Sequence, residues 1–389
     1  MLNSVTTATA LLPRPRPATV RGTGHPGSLL GWVAPNWFAA VMGTGILATA
    51  AVGLPVGATS AALIRPFAVA VWVLAAALLI AIGTLTARQW WHRPDLARGH
   101  HRHPVLAHFY GAPPMALMTV GAGTLLVGPD LLGPAVALRV DWVLWTAGTL
   151  LGLLTSIAVP YLLFTGRLGA AARRPEAAFG GWLMPVVPPM VSASTGALLL
   201  PHVPAGQLRL TLLIACYAMF GISLVASLLI ISQIWTRLTR HGLPEARMLP
   251  TLWIVLGPLG QSVTAAALLG ERAHLAIGAP AAQALQAFGL IYGLPMLGFA
   301  LLWLTLAAVI TLDRVRDGGL PFAPTWWSFT FPVGTCVTGA SALTRATGAE
   351  VLAGLAVLLF IGLLVAWVVV STNALRSARS RPAAWAYAI

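Results

Sequence analysis

The residues of this chain that could do chemistry are hydroxyls, amides and helix breakers set in apolar runs. Gly43 and Thr44, Pro114, Pro188 and Ser192, Gly257 with Pro258, Gln261 and Ser262, and Thr330, Pro332 and Thr335 lie in stretches otherwise dominated by aliphatic and aromatic side chains. Such groups at membrane depth hold an ion through dipoles alone. That binding is weak, and weak binding permits fast exit. No Asp, Glu, Lys or Arg interrupts the cores of these runs. Ionisable residues usually mark cation paths and proton relays, so the pattern favours passive handling of anions.

The elements that must position these groups repeat. Aligning the runs on their first aromatic residue or His gives Trp37, His108, Trp182, Trp253 and Trp326, at intervals of 71, 74, 71 and 73 residues. Six residues after each marker stand Gly43, Pro114, Pro188, Leu259 and Pro332, with Gly257 and Pro258 just ahead of the fourth. Each marked helix is expected to be broken near its middle, as irregular backbone at membrane depth is where it lines a cavity. The half-helix beyond a break would turn a positive dipole end and free N–H groups toward the midplane, which again favours anions.

The composition suits a membrane solvent. Across 389 residues, 58% are hydrophobic and only 8% charged, and the mean hydropathy is +0.84. That is too apolar for a soluble globule of this length. The chain reads as an all-α polytopic membrane protein in contact with the lipid bilayer. A spanning helix needs about 20 apolar residues. Ten segments meet this, at 35 to 53, 64 to 87, 107 to 127, 136 to 160, 180 to 200, 208 to 235, 248 to 269, 283 to 311, 325 to 343 and 350 to 373. They form five hairpins whose odd members run in one direction. These can close in a quasi-fivefold arrangement around a central pore, with the Leu-, Val- and Ala-rich even helices outside.

All of the net charge of +14 comes from arginine, since the chain has no lysine. All but five of the 23 arginines lie on one side of the ten segments, together with both termini. The positive-inside rule makes that side cytoplasmic in a multi-pass protein of the cell membrane, and it removes the need for a nucleic-acid partner. Residues 1 to 30 form a basic arm, 31 to 375 the transmembrane domain and 376 to 389 a cytoplasmic tail. Arg65, Arg139, Arg209, Arg272 and Arg345 fall on the opposite side, one near the start of each even helix. They serve as interface anchors or as a basic ring at an outer mouth that concentrates anions.

Other constellations carry less. His92, His100, His101 and His103, with His108 beyond, lie among arginines without cysteines or clustered acids, so a solvated basic loop fits better than a metal site. Cys216 and Cys336 stand alone in apolar runs. Ser192 and Ser194 have no base to activate them at membrane depth. Asp141 and Arg139 read as an interfacial pair. No cofactor is expected. The alternative reading, a membrane-bound redox enzyme with an embedded cofactor, lacks facing His ligands within the spans.

The motifs PNWFAAVMGTG at residues 35 to 45, LGQS at 259 to 262 and WWSFTFP at 326 to 332 resemble those of the tellurite-resistance/dicarboxylate transporter family, which includes malate and sulfite transporters and slow anion channels. The resemblance runs from about residue 30 to 375. It implies ten helices around a pore, usually in homotrimers, that carries small anions such as malate, sulfite, nitrate, chloride or tellurite. In the channel members a phenylalanine of the ninth helix plugs the pore, and the matching residue is Phe331. By register its counterparts are Met42, Pro113, Val187 and Pro258, so only one repeat places an aromatic ring at that level. No enzymatic activity is implied.

Overall fold

The computed structural model describes residues 33–380. Among these the chain is helical without strands, and its helices fall into two kinds. Five are short and buried: α1 (Phe38–Gly53), α4 (Ala112–Leu126), α7 (Pro188–Leu199), α9 (Leu256–Arg272) and α11 (Phe331–Thr347). Five are long and half-exposed: α2 (Ala58–His92), α6 (Pro134–Phe164), α8 (Gln207–His241), α10 (Ala279–Arg316) and α12 (Glu350–Ser380). Two small helices, α3 (Pro94–Arg102) and α5 (Pro129–Leu132), sit in connections. The most apolar window of Leu249–Leu275 is 94% buried and that of Ala58–His92 only 22%. Sequence explains the division: the long helices present Leu, Ile and Val outward, whereas the short ones are rich in Gly, Ala, Ser and Thr, which let backbones approach closely.

The short helices touch in a closed order: α1 on α4, α4 on α7, α7 on α9, α9 on α11, and α11 back on α1. Each long helix packs against the short helix before it and the one after, with α12 reaching α1. Small residues make the close approaches. A Cβ on Gly260 would lie 2.5 Å from the Cys336 backbone nitrogen, and one on Gly43 would lie 2.1 Å from Thr330 Oγ1. Cross-links of indole and hydroxyl fasten the outer layer to the inner. Trp72 Nε1 donates to Thr124 Oγ1 at 3.1 Å, Trp145 Nε1 to the Ser192 carbonyl at 3.0 Å and Trp367 Nε1 to Thr44 Oγ1 at 3.0 Å.

Among the described residues, seven helical stretches are long and apolar enough to cross a membrane, against ten segments expected from hydropathy. The segments at 107 to 127, 180 to 200 and 325 to 343 are not among the seven; their α-helical parts are 15, 12 and 17 residues long. A 3-10 lead-in precedes all five short helices, at Pro35–Trp37, Leu106–Gly111, Gly180–Leu183, Leu249–Val255 and Pro324–Phe329, and each contains a repeat marker.

The expected breaks are therefore corrected. In α4, α7, α9 and α11 the prolines 114, 188, 258 and 332 stand in the first turn of the α-helix, where the missing N–H has no partner to lose. They mark the passage from 3-10 to α rather than a mid-helix kink. Gly43 breaks nothing, because α1 runs through it and uses it to approach Thr330. The arm at residues 1 to 30 lies outside the described residues, as does the tail beyond 380; from 376 to 380 the chain continues α12.

Candidate functional site

Two cavities lie within the cycle of short helices. The larger, about 360 Å³, is walled by one face of each helix. That face follows the helical spacing of three and four residues: Ile46, Thr49 and Gly53 on α1; Thr119, Ala122 and Leu126 on α4; Val191, Ser194 and Leu198 on α7; Gln261, Thr264 and Leu268 on α9; Thr338, Ser341 and Arg345 on α11. Thr49, Thr119, Ser194, Thr264 and Thr338 supply one hydroxyl from each repeat.

Several of these hydroxyls donate to their own helix, as Thr119 Oγ1 does to the Met115 carbonyl at 2.7 Å and Thr49 Oγ1 to that of Ile46 at 3.2 Å. Gln261 Nε2 donates to Ser194 Oγ across the α7–α9 contact. Gln261 Oε1 and Ser341 Oγ are buried with no partner among the described residues, so the wall keeps polar capacity for a guest.

The smaller cavity, about 30 Å³, lies toward the arginine-rich side and has lining residues in every repeat, among them Met42, Phe109, Val187, Pro258 and Trp327. Three of these are register counterparts of Phe331. Phe331, itself 5% exposed, is the one residue named above that lines both cavities.

The structure distributes the sequence-derived site residues unevenly. Gln261 and Phe331 line the larger cavity, and Gly257, Pro258 and Pro332 the smaller. The others serve packing. Thr44 accepts from Trp367 on α12; Ser192 receives the Thr149 hydroxyl of α6 at 3.0 Å; Ser262 receives Tyr292 of α10 at 2.8 Å. Pro114 and Pro188 pack toward Gly152 of α6. Thr330 abuts Gly43, and Thr335 Oγ1 ties α11 to the Leu256 carbonyl of α9 at 3.2 Å. A hydroxyl facing a neighbouring helix in a membrane protein satisfies that helix's donors or acceptors instead of lining space. Missed were Thr49 and Ser341, together with the role of Thr119, Ser194, Thr264 and Thr338. For all of these but Ser341 the signal was a hydroxyl 11 or 12 residues after each marker.

Nor do the five arginines form one ring. Arg272 and Arg345 line the larger cavity, donating to the Ala197 and Gly53 carbonyls at 2.7 and 3.1 Å, with Glu271 beside them. Arg65 grips Asp130 through two hydrogen bonds of 2.6 Å and so holds that carboxyl below the usual carboxylate range. Arg209 binds the Val203 and Leu275 carbonyls, and Arg139 is exposed.

Asp141 is not paired with Arg139 at an interface. It is 1% exposed between α6 and α4, facing Gly121, and neither carboxyl oxygen has a partner among the described residues. An unsatisfied buried polar group costs about 1 to 3 kcal/mol. Asp141→Val is therefore expected to raise the melting temperature of the detergent-solubilised protein, and a lowered one would mean that the carboxyl is satisfied in the folded state.

Comparison with known proteins agrees with this geometry. A family model described as voltage-dependent anion channel matches residues 33–375. An uncharacterized transporter of Methanocaldococcus jannaschii is 30% identical over 78% of this chain and 81% of its own length. A sulfite efflux pump of Trichophyton rubrum is 26% identical over 81% of this chain and 84% of its own. With nearly all of its described length matched by that model, the chain belongs to the voltage-dependent anion channel family.

Proposed function

We propose that this protein lets small anions pass through the axis of its helix cycle. The ten helices, counting each 3-10 lead-in with its short helix, would span the cell membrane as five hairpins in a quasi-fivefold ring. Both termini would be cytoplasmic, and the protein would assemble as a homotrimer. What supports the reading is the pair of cavities, each lined from all five repeats, with Phe331 lining both; Phe331 would be the gate between them. Their walls offer hydroxyls, one amide and apolar surface, with full charges only at the arginine-poor end. A guest held in this way is bound loosely and leaves quickly. Relatives named sulfite efflux pumps put sulfite first among the anions to test, followed by nitrate, chloride, tellurite and dicarboxylates such as malate.

Planar bilayers containing the purified protein test the reading through reversal potentials measured with each anion in turn. Anion-selective potentials are expected. Cation selectivity, uphill accumulation driven by a proton gradient, or a stoichiometric haem or flavin absorption band would overturn it.

The arginine placement sharpens this. Neutralising Arg272 and Arg345 together to Gln should lower flux several-fold in dilute salt, while Arg65→Gln, whose charge Asp130 already offsets, should not. The deficit should fade as the Debye length contracts from about 10 Å at 0.1 M to about 3 Å at 1 M salt. A salt-independent deficit would place the arginines' role in folding.

A further inference from the structure

The connection from α2 to α4 holds a histidine arrangement that the pathway does not use. His103, just after α3, accepts two backbone hydrogen bonds at Nδ1, from Val105 N–H and Leu106 N–H, both 3.2 Å. These are donors at the start of the lead-in Leu106–Gly111, where no earlier carbonyl serves them. The imidazole is thus an N-terminal cap, and it caps only while Nδ1 carries no proton. Beside it, the His101 ring sits 5.5 Å from Trp90 of α2 and 4.4 Å from Tyr110 of the lead-in, and Tyr110 Oη donates to the Ala97 carbonyl of α3 at 3.3 Å. The small helix is latched to the lead-in at both ends. Through Phe109 that lead-in forms part of the smaller cavity's wall, next to Phe331.

The charges around the latch oppose a further proton. The end of α2 carries Arg88 and His92, Arg93 follows, and α3 carries Arg98, His100, His101 and Arg102. Asp95, the one acid of α3, is taken by Arg98 at 3.4 Å. The lead-in adds His108 and Tyr110, and α6, packed on it, carries Tyr161 beneath the Arg167 guanidinium. Partial burial lowers the titration of His101 and His103 below 6.5; for His100 burial comes first and repulsion from His101 and His103 adds to it. The sign follows: the folded state favours the neutral rings, so their contribution is complete above about pH 6.5 and is lost as pH falls through the lowered folded values.

We propose that His103 is an acid-operated catch on the arginine-rich side: protonation removes the cap from Leu106–Gly111, frees Phe109 from its place beside Phe331 and raises flux. The link to flux rests on the proposed anion pathway, whereas the catch itself does not.

Hydrogen exchange of the purified protein tests the catch at about pH 8 and about pH 5, the span over which an imidazole changes charge, with intrinsic rates corrected. In the native protein, protection over residues 105 to 111 should fall roughly tenfold at the lower pH, the scale of one or two lost hydrogen bonds. His103→Asn, whose amide oxygen caps without titrating, should keep protection at both pH values, and His103→Ala should lack it at both. Constant protection in the native protein, or an undiminished acid effect in His103→Asn, would overturn the proposal. In proteoliposomes, acid on the arginine-rich side should raise anion flux for the native protein and not for His103→Asn. If exchange behaves as expected while no anion flux is found, the catch stands and the transport reading falls.

Discussion

Phe331→Ala is expected to open the protein, raising anion conductance by on the order of tenfold for every ~1.4 kcal/mol of barrier that the ring imposes. Phe331 is buried, and it lines both the cavity of about 360 Å³ and that of about 30 Å³. Removing the ring joins the two spaces, and hydrophobic constrictions of this kind gate by excluding water. Truncating a buried Phe also costs about 3 to 5 kcal/mol of packing, so conductance must be compared at equal amounts of folded protein. Phe329→Ala is the control. Phe329 packs against Trp253 and Trp326 at ring distances of 5.2 and 5.9 Å and lines neither cavity, so its loss should destabilise without opening. Unchanged conductance in well-folded Phe331→Ala protein would remove this residue from the gate.

The second large effect is on folding. A Cβ at Gly111 would stand 1.8 Å from the Met184 carbonyl oxygen and 2.9 Å from Pro185 Cα, all immovable backbone. Overpacking typically costs about 1 to 3 kcal/mol, and here two lead-ins must move apart, so Gly111→Ala should abolish the thermally cooperative folded protein. Gly257→Ala is the informative contrast. It lines the smaller cavity, and a Cβ there would meet nothing within 4 Å. That variant should fold normally, and its added methyl should narrow the passage and lower conductance. A Gly111→Ala protein as stable as the native one would refute the close packing of α4's lead-in on residues 184 and 185.

How much of this was legible in the sequence depends on what each residue's signal measures. The interval between Trp37, His108, Trp182, Trp253 and Trp326 located all five lead-ins, because proline and aromatic residues recur wherever 3-10 passes to α. The face of each helix was not legible in the same way. The breaks were taken as the lining, and Gly257, Pro258 and Pro332 do line the smaller cavity, but the wall of the larger one, apart from Phe331, begins further along each helix. At about 100° per residue, Thr44 and Thr49 point about 140° apart, so the first meets the Trp367 indole of α12 and the second the cavity. Ser192 and Ser194, about 160° apart at the same rotation per residue, divide in the same way between Thr149 of α6 and the cavity. Hydropathy cannot distinguish these faces, because in a bilayer both are buried in protein and both accept small polar residues. The pairing of Arg65 with Asp130, 65 positions away, was equally invisible.

The return of α11 and α12 onto α1 also bears on biogenesis. The bond from Trp367 to Thr44 spans 323 positions, and the contact of Gly43 with Thr330 joins the first repeat to the last. During synthesis the helices that precede α11 must wait with the flanks of α1 and α9 that it covers still exposed. Closure comes only when the last hairpin has left the ribosome. If anions pass along the axis as proposed, a chain stalled before residue 330 would lack one wall of the passage, and sealing of the permeability barrier would be its final folding event.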